Sequence, residues 1–242
     1  MKNFINKIIK FIKLINNKNW RNGLFNNIAA NIELENLIKD LDIKIIIDAG
    51  SNKGQFILLT ENFFNCNEIY SFEPIKEIFE KQKKFFNYKK NIFFYNFALG
   101  DKNEYRIFNI TKRNDSSSFL KINDSIKKHP DYLIKEKRKI EIKKLDDVMK
   151  NKIINKTAIL KIDVQGFELE VLKGAIETIQ KVKYILVEVS KYEIYKNQSL
   201  SNNVIDFLKK NNFFLLKKNE TSIIKKTNFT QEDILFENRS IL

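Results

Sequence analysis

Apolar positions along the chain change period in a regular order. Residues 44–49, Lys-Ile-Ile-Ile-Asp-Ala, form a short β-branched run that stops at an acid and a glycine, as a strand buried on both faces would. Past Gly50-Ser51-Asn52-Lys53-Gly54 the pattern turns helical through about residue 64. Residues 68–72 then read as a second strand ending at Glu73-Pro74, residues 75–87 as an amphipathic helix rich in Lys and Glu, and residues 92–97 as a third strand. Between 101 and 144 the rhythm breaks. Two strand-like pieces, 105–110 and 139–143, flank a polar stretch, which reads as an insertion over the sheet edge. Alternation resumes with strand 158–163, helix 168–179, strand 184–189, helix 201–210 and strand 213–216, and the apolar piece 234–236 closes an antiparallel pair. Strand and helix in alternation predict an α/β fold: a doubly wound, mostly parallel sheet with an antiparallel last strand and a β-containing insertion after the third strand.

The first fifteen residues have a different character. Ile5, Ile8, Ile9, Ile12 and Ile15 recur at helical spacing with Lys2, Lys7, Lys10 and Lys13 between them, a basic amphipathic helix. Lysines interrupt it too often for a secretory signal or a spanning helix. It either packs on the domain as a cover or rests peripherally on an anionic membrane face. Residues 1–40 are therefore expected to be a helical extension and 41–242 one domain, with the insertion at about 101–144. Nothing in the pattern fixes the oligomeric state.

Composition narrows the partners. Hydrophobic residues at 43% and charged residues at 31% of 242 suit a folded domain and exclude a disordered chain. The formal net charge of +14 favours anionic partners: nucleic acid, an anionic membrane, or a phosphate-bearing small molecule. A merely solvated lysine-rich surface accounts for the charge equally well. Cys66 is the only cysteine, so an intramolecular disulfide and a cysteine-built zinc site are excluded, and a cytoplasmic home is expected.

Ligands of an open α/β sheet bind outside the carboxyl ends of its strands, and each strand end here carries a polar or glycine group. At the first, Asp48 to Gly54, Gly50 lets backbone approach a ligand closely and Asn52 tolerates a left-handed conformation. The glycines are four apart without one between, which disfavours the pyrophosphate of a dinucleotide and suits a nucleoside. Glu73 ends the second strand about 25 residues past Asp48, where a carboxylate can accept hydrogen bonds from both hydroxyls of a ribose. Its competing role is to cap the helix that Pro74 opens. Ala98 and Leu99 offer an apolar sandwich for a base, with Asp101 as a polar contact, unless they form an ordinary turn. The fourth end, Asp163-Val164-Gln165-Gly166-Phe167-Glu168, joins a strand-terminal acid to a turn glycine and a helix-opening Glu.

In these motifs the sequence resembles the FkbM family of class I methyltransferases. The resemblance rests on Ile47-Asp48-Ala49-Gly50-Ser51-Asn52-Lys53-Gly54-Gln55, Phe72-Glu73-Pro74, Ala98-Leu99-Gly100-Asp101, Ser116-Ser117-Ser118, Leu145-Asp146-Asp147 and the block from Lys161 to Ala175, and it runs from about residue 43 to 236. It implies a Rossmann-like methyltransferase domain, S-adenosylmethionine as cofactor, and transfer of its methyl group to a hydroxyl, often on a sugar of a glycan or natural product. Carried onto this chain, the cofactor residues are Asp48, Gly50, Ser51, Asn52, Gly54, Gln55, Glu73, Pro74, Ala98, Leu99, Asp101 and Asp163. Gln165 departs from the pattern, which commonly has Glu there, and removes a charge beside the transfer region.

A hydroxyl acceptor must lose its proton. Asp163 and Glu188, at the fourth and fifth strand ends, either take that proton or hold a divalent metal ion that lowers the hydroxyl pKa; the reading without a metal is preferred. His129, the only histidine, lies in the insertion as a further candidate base, although a surface loop role suits it better. Lys121, Lys127, Lys128, Lys135, Lys137, Arg138 and Lys139 make the insertion basic, which suits a small-molecule or glycan acceptor bearing phosphate. Two other functions compete. A nucleic-acid methyltransferase would use the same core, but the Asp/Asn-Pro-Pro-aromatic segment of amino-directed DNA enzymes is absent from the fourth strand end. A membrane-docked binding protein without turnover would retain the fold and lose the need for an intact set of strand ends.

Overall fold

The computed structural model describes residues 2–219, 222–223 and 229–241, with side chains for 8–219 and 229–241. The side chains of Lys2, Ile5 and Lys7, used in the amphipathic reading above, lie outside the described residues. In chain order come α1 (Lys2–Asn16), α2 (Lys18–Phe25), α3 (Glu35–Ile38), β1 (Ile45–Ala49), α4 (Gln55–Thr60), β2 (Glu68–Phe72), α5 (Lys76–Phe85), β3 (Ile92–Tyr95), β4 (Ala98–Leu99), β5 (Glu104–Thr111), β6 (Ile134–Lys143), α6 (Leu145–Met149), β7 (Ala158–Ile162), α7 (Glu168–Lys173), α8 (Ile176–Ile179), β8 (Tyr184–Ser190), α9 (Ser201–Lys210), β9 (Phe213–Lys218), β10 (Ser222–Ile223) and β11 (Thr230–Asn238).

The main sheet runs β3-β2-β1-β7-β8-β11, with β9 and β10 both paired to the outer edge of β11. Strands β3 to β8 are parallel; β11 runs antiparallel to β8 and to β9. The mostly parallel sheet with its antiparallel end, and the insertion sheet beside it, agree with the pattern read from the sequence. All five residues of β1 are buried because helices cover both faces, and alternation assigns them. Ile45 and Ile47 pack on one side with Leu160, Ile162, Val171, Leu172 and Leu208, while Ile46 packs on the other with Trp20, Ile28, Ile57 and Phe86.

The chain leaves β1 toward β2 on one side and returns to β7 on the other, so a crevice opens at their carboxyl ends. Register aligns the three ends: Asp48 lies opposite Ser71 and Lys161, and Ala49 opposite Phe72 and Ile162.

Several boundaries differ from the periodic reading. Helix α4 stops at Thr60, whose hydroxyl donates back to the Ile57 carbonyl at 2.8 Å. The expected third strand divides: β3 ends at Tyr95, and Ala98–Leu99 instead pairs in parallel with Ile142–Lys143 in a separate sheet ordered β4-β6-β5. The expected helix over 168–179 splits into α7 and α8 at Gly174, because that turn packs on Gly100; a Cβ on Gly174 would sit 1.9 Å from the Gly100 carbonyl oxygen. Strands β5 and β6 form the antiparallel hairpin of the insertion, longer than expected.

At the amino end, Trp20 is buried and its Nε1 donates to the Leu58 carbonyl at 3.0 Å, fastening α2 to α4. Among the described residues no helix is long and apolar enough to cross a membrane.

Candidate active site

The loop leaving β1 turns through left-handed conformations at Gly50 (φ +76°), Asn52 (φ +49°) and Gly54 (φ +85°). Gly50 is required twice over. Its φ is costly for any L side chain, and a Cβ there would lie 2.0 Å from the Asp163 carbonyl oxygen, where the β1 and β7 loops touch.

Glu73 ties this loop to the end of β2. It is buried; Oε2 accepts the Asn52 N–H at 2.9 Å and Oε1 accepts the Ile75 N–H at 2.7 Å. The capping contact weighed from the sequence is therefore present, and each carboxylate oxygen keeps capacity to accept a further hydrogen bond. Burial pushes the Glu73 carboxyl up to about 7, against the two backbone hydrogen bonds that favour its ionised form. Below the loop, Ser71 Oγ meets Ser51 Oγ at 2.8 Å and donates to Gln82 Oε1 at 3.0 Å, which locks β1, β2 and α5 together.

Lys161 occupies the centre. Its Nζ is 3.2 Å from Asp48 Oδ1 and 3.6 Å from Asp163 Oδ2, and it donates to the Gly50 carbonyl at 3.3 Å. Burial alone would lower its pKa, but the charges of Asp48 and Asp163 outweigh burial and hold the ammonium protonated, above its ordinary value. Asp48 is fully buried behind it.

The loop after β7 is held by two side chains. Glu168 Oε1 accepts the N–H groups of Gly166 at 2.9 Å and Val164 at 3.3 Å, and burial raises its carboxyl to about 7. Gln165, with φ +55°, sends Nε2 to Asp163 Oδ1 at 2.9 Å and to Glu188 Oε2 at 3.0 Å, while its Oε1 accepts the Tyr195 hydroxyl at 3.0 Å. The residue that departs from the family pattern thus bridges two carboxyl groups with neutral N–H groups, where a Glu would bring a third acidic side chain. Burial, then the charges of Asp163 and Asp233, holds the Glu188 carboxyl well above its usual range.

These loops line one open cleft. Of the residues expected to bind a cofactor, Gly50, Ser51, Asn52, Gln55, Glu73, Pro74, Ala98, Leu99 and Asp163 line it. Asp48 stands one layer behind, Gly54 starts α4, and Asp101 lies in a turn outside the wall. Glu188 lines a second, smaller cavity that shares Asn31, Lys161 and Asp163 with the first and adds Glu33 and Asp233. His129 lines neither; it begins the 3₁₀ turn Pro130–Tyr132, and its Nδ1 accepts the Asp131 N–H at 3.3 Å. Of the three serines, Ser117 reaches the cleft, Ser118 Oγ donates to the Gln165 carbonyl at 2.7 Å, and the Ser116 carbonyl accepts from Tyr195.

Sequence reasoning missed the apolar wall. Phe108 and Phe119 from the insertion and Phe167 from the β7 loop pack in series, edge-on and then tilted, with ring centroids 4.7 and 5.1 Å apart, and line the same cleft as Asn52, Glu73 and Asp163. Asn31, ahead of β1, also reaches the cleft. Among the described residues, no group of three or more His, Cys, Asp or Glu side chains is arranged to hold a metal ion.

The parallel sheet, its antiparallel end and the strand-end cleft define a class I, S-adenosylmethionine-dependent methyltransferase. The model of the Methyltransferase FkbM domain matches residues 48–215, and the chain belongs to the FkbM methyltransferase family. The 2-O-methyltransferase NoeI of Sinorhizobium fredii (strain NBRC 101917 / NGR234) is 22% identical over 171 residues, 68% of this chain and 70% of that protein. Among solved structures, the methyltransferase FkbM from Methylobacillus flagellatus KT overlaps at a TM-score of 0.49 with 13% identity, covering 84% of this chain. The present chain spans only 45% of its length. TrmK of M. capricolum in complex with S-adenosyl-homocysteine overlaps at a TM-score of 0.49 with 12% identity over 88% of this chain and 70% of that one.

The cleft fits the donor that the family implies. Asn52 Oδ1 is buried in the cleft wall with no hydrogen-bond partner among the described residues, an acceptor in want of a donor. Glu73 and the three phenylalanines line the same cleft, so it joins a carboxyl group to an apolar wall.

The raised carboxyls also set a pH dependence. Glu73 and Glu168 have native values near 7 against an ordinary 4.5, so between those limits the native state binds protons that the unfolded chain has released. Their contribution is fully present below 4.5 and is lost as pH rises through 7. The melting temperature is expected to be lower at pH 8 than at pH 6 by scanning fluorimetry, with a flatter profile in Glu168→Gln. A melting temperature that climbs over this interval contradicts the burial argument.

Proposed function

We propose that the protein transfers the methyl group of S-adenosylmethionine to a hydroxyl of a sugar, in a glycan or a natural product. One observation carries the reading: Asp163 stands where the two cavities meet, so a carboxylate faces the donor cleft and the adjoining space together. The relative named as a 2-O-methyltransferase supports a hydroxyl acceptor.

When bound, S-adenosylmethionine supplies an electrophilic methyl group on a sulfonium. In this reading Glu73 accepts the ribose hydroxyls, Asn52 and the Gly50–Asn52 backbone take polar edges, and Ala98, Leu99 and the phenylalanine rings flank the adenine. Asp163 accepts the proton of the acceptor hydroxyl. Lys161 places its ammonium 3.6 Å from that carboxylate and Gln165 orients it, with Glu188 as the second anchor of the Gln165 amide. The chain's task is to align the hydroxyl and keep water out. His129 and Asp101 have no part in the proposed step.

The test is methyl-labelled donor offered to a panel of oligosaccharides, nucleotide sugars and RNA, with products separated by chromatography. Label is expected in carbohydrate, and Asp163→Asn should retain donor binding while losing at least about a hundredfold in turnover. Label entering only RNA, or full turnover by Asp163→Asn, contradicts the proposal.

A further inference from the structure

Helix α1 turns its charged side inward and its apolar side out. Leu14 is its buried contact, and Lys10 and Lys13 reach toward the body of the protein, pairing with Glu33 at 2.6 Å and Glu35 at 2.5 Å. Ile8, Ile9, Phe11 and Ile12 are exposed by 43, 58, 57 and 52%. At about 100° per residue, Ile8 and Ile12 share one side of the helix, and Lys10 and Leu14 the other. A helix that covers a globular core buries its apolar stripe, so this stripe has an occupant outside the fold.

Charge selects that occupant. The first acidic residue of the chain is Glu33, and Lys2, Lys7, Lys10, Lys13, Lys18 and Arg21 precede it. Lys10 and Lys13 are paired with Glu33 and Glu35, and Lys2, Lys7, Lys18 and Arg21 leave the segment cationic, so a second copy of the chain on this face would bring two such net positive segments together. An anionic surface satisfies both the apolar stripe and the charge. We propose that α1 lies in the interface of an anionic membrane, with Ile8, Ile9, Phe11 and Ile12 in the acyl boundary and the net positive charge of residues 1–32 drawn to the headgroups. At 15 residues the helix rests on the bilayer and does not span it. Glu33, the partner of Lys10, also lines the second cavity.

The test is cosedimentation of the full chain with vesicles of phosphatidylcholine and phosphatidylglycerol in equal parts, and with vesicles of phosphatidylcholine alone. The wild type is expected to sediment with the anionic vesicles and at least about tenfold more weakly with the neutral ones. The triple variant Ile8→Ser, Phe11→Ser, Ile12→Ser keeps the net charge and alters only exposed side chains, so its melting temperature and donor binding should match wild type. Its partition into anionic vesicles should fall at least about tenfold, from the apolar area withdrawn. The proposal is overturned if wild type stays in the supernatant, if the triple variant sediments like wild type, or if sedimentation velocity shows a dimer that the triple variant loses.

Discussion

Gly50→Ala is expected to abolish donor binding and to lower stability by about 3 kcal/mol. Two costs add at one position. The backbone at φ +76° disfavours any L side chain, and the new methyl would lie 2.0 Å from the Asp163 carbonyl oxygen. Relief requires the β1 and β7 loops to part, which separates Asn52 from Asp163 across the cleft and pulls Gly50 away from the Lys161 ammonium that its carbonyl accepts. At roughly 2–4 °C per kcal/mol for a chain of this size, melting should fall by about 6–12 °C. Thermal melts with and without S-adenosylmethionine check both parts, and a variant that melts and binds like wild type would show that the loops do not meet as described.

The second large effect is at Lys161. Lys161→Met should cost about 3–5 kcal/mol, because removing one partner of a buried pair leaves an uncompensated charge at Asp48, which has no exposed surface. Adding Asp48→Asn to Lys161→Met should recover much of that loss, since the remaining group no longer carries charge. Denaturant titrations of the two single variants and the double variant form the cycle. Strict additivity would mean that the pair is not coupled.

Much of the sheet is legible because its central strands β1 and β7 are buried on both faces and appear as apolar runs, as in Ile45 to Ile47 and Ala158 to Leu160. The strand ends were legible because polar groups and glycines must interrupt those runs where the chain turns over the crevice. What could not be read depends on partners distant in sequence. Ala98–Leu99 looks like the tail of β3, and only its pairing with Ile142–Lys143 assigns it to the second sheet. The division between α7 and α8 follows from the approach of Gly174 to Gly100, some seventy positions away, which no helical period announces.

The same limit applies to the cleft. Its polar wall comes from local motifs, whereas Phe108, Phe119 and Phe167 converge through the insertion hairpin, and each alone looks like an ordinary core residue. Gln165 was visible as a departure from a pattern, but its role as a bridge between Asp163 and Glu188 needed the left-handed turn and the return of β8 beside β7.

Titration calorimetry of S-adenosylmethionine into the wild type and Glu73→Ala tests the central claim most directly. If the ends of β1, β2 and β7 grip the donor through the Glu73 carboxylate, wild type gives a saturable single-site isotherm and Glu73→Ala binds about 10- to 100-fold more weakly, the worth of hydrogen bonds to a charged group. An isotherm without heat for the wild type, or equal affinity for both proteins, would contradict it.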